Sequence, residues 1–283
     1  MAKRPNPTFR RRQLGKQLRR LRENIGMERE EVADYLDCKL PKISKIETGK
    51  LALSSAELRL LAILFELSRD DADQLLEVGR EARKQGWWTS FGDAVPSWLK
   101  DYVGLESDAG QIDNYEAELV HGLLQTESYA RNVIQAWRTD SAPAEVERAV
   151  RLRMARQEHL LSEDPPTYRA VLNEGALRRV VGGPDVMQGQ LRYLLALSEH
   201  DHINLHVIPF AADAHPAMGS SFTVLRMPDG DPIVYLEDLT TGLYLEKDAD
   251  TNRYVNVFDQ LWAHAVSEDE SRALINRVVE DMQ

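Results

Sequence analysis

The sequence predicts an α+β protein that is mainly helical, with a small all-helical domain over residues 1–84 and a larger α+β domain with a small sheet over residues 85–283. Apolar residues recur at helical spacings of three and four in the first part, whereas alternating β-branched runs begin only in the second. A length of 283 residues suits two ordinary domains. Charge divides the chain in the same way. Fourteen Lys/Arg against seven Asp/Glu give the first fifty residues a net charge of +7, so the total of −11 leaves −18 on the rest.

Composition excludes several classes of protein. Hydrophobic residues make up 43% and charged residues 29%, which is typical of a globular chain rather than a disordered one. Cys38 is the single cysteine, so no intrachain disulfide can form and a reducing, cytoplasmic location is expected. No apolar run approaches the roughly 20 residues of a membrane span. The basic N-terminus has no apolar stretch behind it, so we do not expect a secretory signal.

The basic first part predicts five short helices. One apolar helical face is formed by Leu14, Leu18, Leu21 and Ile25. Gly26 is expected to end that helix. Residues 28–36 and 40–48 follow as two helices around a tight connection at 37–39, and Ile43 and Ile46 are the expected buried pair of the second.

Two further helices are predicted from their N-terminal caps. Ser54 and Glu57 form a capping box that opens a helix through Leu67. Ser68, followed by two aspartates at the positive end of the helix dipole, opens another through about Arg83.

The second and third helices, joined by a short turn after a basic helix, match the helix-turn-helix plan. Residues 18–65 resemble the Xre/lambda-repressor family over their full length. Arg22, the run Glu31-Val32-Ala33 and the run Ile43–Gly49 match the family pattern in order and spacing. The basic charge of this part agrees with a polyanionic partner, and a solvated basic surface is the plainer alternative.

The resemblance implies that residues 40–48 form a recognition helix in the major groove of double-stranded DNA. It places Arg29 against a phosphate and Lys45 toward base edges. The expected DNA contacts are Arg29, Lys39, Leu40, Pro41, Lys42, Ser44, Lys45, Thr48 and Lys50. Leu40 and Pro41 stand where the family often carries polar readers, so specificity is expected to rest on few residues together with phosphate contacts and DNA shape. The resemblance also implies a structural ion pair between Arg22 and Glu47.

The acidic second part mixes helices and strands. Helices are expected over 107–118, 126–137, 143–162, 186–199 and 252–265, with a last one opened by a capping box at Ser267. Strands are expected over 168–173, 203–210, 221–227, 232–238 and 241–247. Strands separated by helices, followed by a meander of strands, indicate a single α+β domain with a small sheet.

Four phrases of this part, at 115–131, 151–157, 172–194 and 203–210, come in a fixed order that resembles the C-terminal domain of WhiJ-like regulators, known chiefly from actinobacteria. The resemblance implies a repressor or an antitoxin-like protein whose partner is a small acidic BldB-like protein encoded nearby. It implies no catalytic site and no cofactor.

Two side-chain clusters are candidates for further sites. Trp87, Trp88, Trp98 and Tyr102 form either a ligand-binding aromatic box or, as we favour, a docking core at the junction of the two parts or for a partner. Four histidines and an aspartate fall between residues 200 and 215, namely His200, Asp201, His202, His206 and His215. No metal-site spacing accompanies them, so we expect satisfied or exposed histidines and no bound metal.

The sequence therefore predicts a DNA-binding transcriptional regulator, a repressor and a homodimer, with no catalytic activity. The acidic part is expected to dimerise, sense a signal or bind a partner, since a charge near −18 repels DNA. Two alternatives stay open: an antitoxin-like interaction scaffold with weak DNA specificity, and, more distantly, a small-molecule-binding enzyme. The operator, the effector and the direction of regulation are not encoded in these patterns.

Overall fold

The computed structural model of the chain describes residues 7–84, 86–138, 141–228 and 230–282. The chain divides into two compact units, Met1–Ser90 and Phe91–Gln283, where the sequence predicts a boundary after residue 84. The described residues contain twelve α-helices and one six-stranded mixed sheet, so the predicted α+β, mainly helical fold class is confirmed. No described helix is long and apolar enough to cross a membrane.

The described part of the N-terminal unit is built from five α-helices, followed by a 3₁₀ segment. The helices are α1 (Pro7–Asn24), α2 (Arg29–Tyr35), α3 (Leu40–Glu47), α4 (Ser55–Leu64) and α5 (Arg69–Ala82). Their core contains Leu14, Leu18, Val32, Ile43, Ile46, Leu58 and Leu61. The predicted apolar face of α1 holds except at its last position. Ile25 lies past the end of the helix and is 48% exposed, because the chain turns at Gly26 with φ +69°.

The caps predicted for the last two helices of this unit are present. Ser54 accepts a hydrogen bond from the Glu57 backbone, while the Glu57 carboxylate accepts from the Ser54 backbone. Ser68 accepts from the Asp71 backbone. These bonds satisfy amide groups that have no partner inside the helix, so they fix where α4 and α5 begin.

Helices α2 and α3 are held together by a turn that brings their buried faces into contact. Val32 and Ala33 of α2 are buried with Ile43 and Ile46 of α3. At the end of α3, Gly49 has φ +70°, a conformation that glycine adopts without steric cost. The described geometry is that of a helix-turn-helix.

The C-terminal unit surrounds the sheet with seven helices in its described residues. They are α6 (Ser97–Asp108), α7 (Glu127–Trp137), α8 (Pro143–Gln157), α9 (Glu174–Arg178), α10 (Pro184–Leu197), α11 (Asp248–His264) and α12 (Glu268–Asp281). The strands are β1 (Gln111–Glu116), β2 (Thr167–Asn173), β3 (Ile203–Ile208), β4 (Phe222–Arg226), β5 (Ile233–Glu237) and β6 (Gly242–Leu245). Their order is β3-β2-β1-β4-β5-β6, with β1, β2 and β3 parallel and the remaining pairs antiparallel.

The helix predicted over 107–118 is wrong. α6 ends at Asp108, and the next residues form β1, the strand that joins the parallel and antiparallel halves of the sheet. The polar residues of this strand conceal it in the sequence. Asp113 is fully buried because Arg169 of β2 and Arg226 of β4 both donate to its carboxylate, at 2.7 Å each.

Two helix boundaries differ from prediction by four residues or more. α8 ends at Gln157 rather than near residue 162, and α11 begins at Asp248 rather than at residue 252. After β2 the chain also forms a short helix, α9, which ends at Arg178 before the glycine pair at 182–183.

The sheet has two differently covered faces. Tyr115, Phe222 and Val234 point to one face, where Phe258 and Leu261 of α11 cover them. Successive side chains of a strand point to opposite faces. Tyr235 therefore points to the other face, where it stacks on Tyr102 of α6 with ring centroids 4.2 Å apart.

Candidate DNA interface and buried cavity

A carboxylate at the end of α3 holds two guanidinium groups behind that helix. The Glu47 carboxylate accepts from Arg22 Nε at 2.6 Å and Nη2 at 3.3 Å, and from Arg29 Nε at 2.7 Å. The side chains of Arg22 and Glu47 are only 7% and 4% exposed. The hydrogen bond to Glu47 raises the pKa of Arg22. Arg22 also donates to the Met27 carbonyl, so one residue of α1 fixes both the end of α3 and the chain leading into α2.

The solvent-facing side of α3 carries most of the predicted DNA contacts. Six of them are exposed, namely Lys39, Leu40, Pro41, Lys45, Thr48 and Lys50, while Ser44 is half-buried. The Thr48 hydroxyl donates to the Ser44 carbonyl at 2.8 Å, so it is engaged with its own helix. The surface therefore presents lysines around an apolar N-terminus.

Two of the predicted DNA-contacting cations are bound within the unit instead. Arg29 is paired with Glu47, as described above, and Lys42 Nζ lies 2.6 Å from Glu57 Oε1. The hydrogen bond to Glu57 raises the pKa of Lys42. Burial acts to raise the pKa of Glu57, but hydrogen bonds from Lys42 and Ser54 outweigh it and lower that pKa to about 2. These cations link α3 to α2 and α4, which makes them structural as well as candidate phosphate contacts.

The C-terminal unit contains a cavity of about 330 Å³ over the face of the sheet that Tyr235 occupies. Its polar lining includes Glu116, His121, Gln125, Arg153, Arg156, Ser221, Thr223 and Glu237. A second cavity of about 300 Å³ is lined by Trp98, Leu99, Ile134, Ala149 and Leu152. The two share Trp137, Arg153, Arg156, Glu237 and Leu239 as wall residues, so a polar chamber adjoins an apolar one.

Strand register aligns two carboxylates of the polar chamber. Tyr115 lies opposite Phe222, and Thr223 lies opposite Tyr235. Continuing these registers by one and two residues puts Glu116, Ser221 and Glu237 in one row across three strands. Neighbouring strands lie about 4.8 Å apart, so the two glutamates are about 10 Å apart along the backbone with a small serine between them.

The charged groups of the chamber differ in how they are paired. Arg156 forms a buried, bidentate pair with Glu106, at 2.9 and 2.7 Å. Arg153 donates to the neutral Gln125 Oε1 at 2.7 Å. Glu116 accepts a long hydrogen bond from Asn114, at 3.3 Å, and burial raises its pKa to about 7. Desolvation of its carboxylate also raises the pKa of Glu237, although the residue as a whole is exposed at the end of β5.

A buried histidine supports the wall of this chamber. His121 Nε2 lies 3.2 Å from the Tyr102 hydroxyl, and Nδ1 lies 2.7 Å from the Tyr168 hydroxyl. Burial lowers the pKa of His121 well below its usual value, and the nearby Arg156 and Arg153 lower it further. The imidazole is therefore neutral at physiological pH and adds no positive charge to the cavity.

Two family models match the chain. One, described as a domain of unknown function (DUF5753), matches residues 99–277. The chain belongs to this family. The other, described as a helix-turn-helix domain, matches residues 13–75, which covers α2 and α3 and the Arg22–Glu47 pair. The geometry of α2 and α3 together with this match identifies a DNA-binding regulator of the helix-turn-helix class. No curated protein and no solved structure matches the chain.

The four aromatic residues singled out in the sequence take separate places. Trp87 and Trp88 meet edge to face in the N-terminal unit, with ring centroids 6.1 Å apart, and Trp88 is buried while Trp87 is exposed. In the DUF5753 domain, Tyr102 lines the polar chamber and Trp98 lines the apolar one. Trp98 and Tyr102 thus contribute to the walls of the cavities, and the choice between an aromatic box and a docking core for the four residues stays a prediction.

The histidines between residues 200 and 215 have different neighbours. His202 Nε2 lies 2.8 Å from the Leu160 carbonyl, and His206 stacks on Trp262 with ring centroids 4.0 Å apart. His215 meets Tyr115 edge to face. Within the described ranges no group of three or more His, Cys, Asp or Glu is arranged to hold a metal ion.

Sequence reasoning missed the charged residues of the cavity. Glu116 lies in the strand that the sequence predicts as a helix, and Glu237 lies in the strand predicted over 232–238, where no local feature marks it as a cavity residue. Arg153 and Arg156 belong to the segment 151–157, which the sequence analysis uses only for its resemblance to WhiJ-like regulators. Their spacing of three on α8 places both on one helical face, which was the one local signal available.

Proposed function

We propose that this protein is a sequence-specific transcriptional regulator of the Xre type, a repressor that binds DNA as a homodimer through α3. The observation that carries the proposal is the contrast between the two sides of α3. Glu47 at its end is clamped by two arginines, while Lys39, Lys45 and Lys50 face solvent. A recognition helix has to be held in place on the side that packs against its own domain and has to be accessible on the side that faces DNA. In a homodimer, two such helices about 34 Å apart would read a pseudo-palindrome.

The test begins with genome-wide DNA capture by the full-length protein, which defines the operator. Lys45→Ala should then lower operator affinity by about 1–3 kcal/mol and relax preference at one base position, while Lys50→Ala weakens binding to all sequences alike. Lys100→Ala, at an exposed position of α6, is the matched control and should leave affinity unchanged. Equal losses on operator and random DNA for Lys45→Ala would contradict its role as a reader of bases.

We also propose that the DUF5753 domain is WhiJ-like and binds a small acidic BldB-like protein encoded nearby. The order of the four sequence segments that resemble WhiJ-like regulators supports this assignment. A variant ending at residue 90 and the full-length protein should be compared for operator binding with and without the partner. The proposal requires that only the full-length protein respond.

Two other functions are tested by the same reagents. An antitoxin-like scaffold would bind the partner but show no selective peaks in the DNA capture. An enzyme built on the DUF5753 domain would use the paired carboxylates of the cavity, and turnover of a small molecule would reveal it. We propose a binding role instead, exercised in the cytoplasm, where a regulator meets the chromosome.

A further inference from the structure

The polar chamber of the DUF5753 domain has an excess of negative charge. Glu106 neutralises Arg156, and Arg179 pairs with Glu118 at the rim. Among the described residues of the lining, Glu116, Glu237 and Asp238 form no ion pair, and Arg153 is the one further cation. His121 is neutral, so it does not balance them. With all three carboxylates ionised the lining would carry two uncompensated negative charges, and a cation bound in the chamber would offset them.

The size and the lining of the two cavities indicate which kind of ligand they could hold. Each has a volume typical of sites for small organic ligands. Trp98, Leu99, Ile134 and Leu152 make most of the second chamber apolar. Its charged wall residues are Arg138, Arg153, Arg156 and Glu237. Trp137 and Leu239, which belong to both walls, are 52% and 83% exposed. An apolar group that entered the second chamber would cover these side chains.

We propose that the DUF5753 domain binds a small amphipathic amine, with its ammonium group between Glu116 and Glu237 and its apolar body in the chamber lined by Trp98 and Leu152. In the row Glu116–Ser221–Glu237 the small serine separates the two glutamates, and the ammonium group is placed over it. Ser221 Oγ accepts from the Ala117 amide at 3.1 Å, which leaves one lone pair for the ligand. Two carboxylates and a hydroxyl match the three donors of a primary ammonium group.

Arg153 can bind an oxygen atom of the same amine ligand. A guanidinium has five N–H donors, and the bond to Gln125 uses one of them. A carbonyl or carboxylate oxygen of the amine accepts from the donors that face the chamber. The ligand class thus includes amino-acid and peptide derivatives with a large apolar side chain. This inference goes beyond the proposed function and does not depend on DNA binding.

The raised pKa of Glu116 gives amine binding a second measurable signature. Its carboxyl is partly protonated near neutral pH because burial disfavours its charge. A bound ammonium group would restore the charge and release a proton. Calorimetry of amine binding at pH 6.5 in two buffers of different ionisation enthalpy should show that release.

Three probes of equal size and different charge test the proposal on the full-length protein: 3-phenylpropylamine, 3-phenylpropan-1-ol and 3-phenylpropionate. The amine should bind saturably by calorimetry and raise the melting temperature, and the alcohol and the acid should bind at least tenfold more weakly. Similar binding of all three probes, or no binding of the amine up to millimolar concentration, would overturn the proposal without any variant.

Variants locate the site. Glu116→Gln and Glu237→Gln should each weaken binding of the amine at least tenfold and reduce its advantage over the alcohol. Glu199→Gln, at an exposed position outside both cavities, is the matched control and should bind as the wild type does. Circular dichroism checks that each variant is folded. Unchanged binding in both cavity variants would place the amine elsewhere and overturn the assignment.

Discussion

Glu47 is the residue on which the N-terminal unit depends most. It is almost fully buried, yet it is charged, and its charge is balanced by Arg22 from α1 and Arg29 from α2. Such a residue is costly to bury alone and costly to remove from its partners. One carboxylate therefore ties the first three helices together at the base of the candidate recognition helix.

Glu47→Ala should lower the free energy of unfolding by about 3–5 kcal/mol, because it leaves the buried guanidinium of Arg22 without its carboxylate. Urea denaturation measures the change. Glu77→Ala is the control, since the Arg80–Glu77 pair is exposed on the surface of α5 and its loss should change little. Equal stability of the two variants would show that the pairing of Glu47 with Arg22 and Arg29 does not stabilise the unit.

Glu116 predicts a pH dependence for the second unit. Its pKa rises on folding from an ordinary value of 4.5 to about 7, so the folded state binds a proton more tightly than the unfolded state. The resulting stabilisation is present below pH 4.5 and is lost as pH rises through 7. Its full size is about 3–4 kcal/mol, because the pKa rises by roughly 2.5 and a change of one in pKa corresponds to about 1.4 kcal/mol.

The measurement compares the wild type with Glu116→Gln, which cannot titrate. The stability of the variant relative to the wild type should increase between pH 5 and pH 8, as followed by urea denaturation at each pH. Glu199→Gln should track the wild type throughout. A difference between Glu116→Gln and the wild type that did not depend on pH would show that the carboxyl has an ordinary pKa.

At the scale of elements, the packing of α1 against α3 depends on the absence of a side chain. A Cβ atom on Gly15 would lie 2.5 Å from the Ile46 carbonyl oxygen and 2.6 Å from that of Glu47. These are backbone atoms at the end of α3, so they cannot move without moving the helix. The close approach lets Arg22 of α1 reach Glu47.

Gly15→Ala should therefore destabilise the unit by about 1–3 kcal/mol or more and should also lower operator affinity, because it displaces the recognition helix. Gly189→Ala is the opposite case. Gly189 lies within α10 with no atom near the added Cβ, so this variant should gain up to about 1 kcal/mol from helix propensity. Thermal denaturation and operator binding of both variants check the pair of expectations, and a stable, fully active Gly15→Ala would contradict them.

At the scale of the whole molecule, opposite charges occupy the two ends of the sequence. The first fifty residues carry +7 and the rest carries −18. The acidic part should repel DNA that the basic part attracts, and salt screens both effects.

A variant ending at residue 90 should bind random DNA more tightly than the full chain at low salt, and the two affinities should converge as salt approaches 0.5 M. Fluorescence anisotropy against salt concentration measures both curves. The slope against log salt should therefore be steeper for the truncated variant. Each phosphate contact contributes about −0.9 in both proteins, but in the full chain salt also screens the repulsion from the acidic part and so offsets some of the fall. Parallel curves with a constant offset would exclude electrostatic repulsion as the cause.

The sequence predicts the first unit better than the second, for a physical reason. Helices α2 to α5 are specified by local signals: caps at Ser54 and Ser68, a glycine at position 49 and apolar residues three or four apart. β1 carries Asp113 and Asn114, whose burial becomes possible only through partners on other strands. Local patterns therefore indicate a polar helix where the structure has its central strand.

The cavity is beyond local sequence reasoning for the same reason. Glu116 and Glu237 come together through the registers of three strands, and no pattern within a window of a few residues contains that information. The Arg22–Glu47 pair was anticipated only because a family resemblance supplied a contact between distant residues.

The mixed sheet has a consequence for the speed of folding. β4, β5 and β6 form an antiparallel meander between residues 222 and 245, whose pairs are close in sequence and can form within microseconds. β1 must instead pair with β2 and β4, joining Gln111 to Thr167 and to Arg226. Such non-local pairings require long loops to close first, which makes them slow. The second unit should therefore fold in at least two phases, and the slower phase should be the one that completes β1 and with it the cavity.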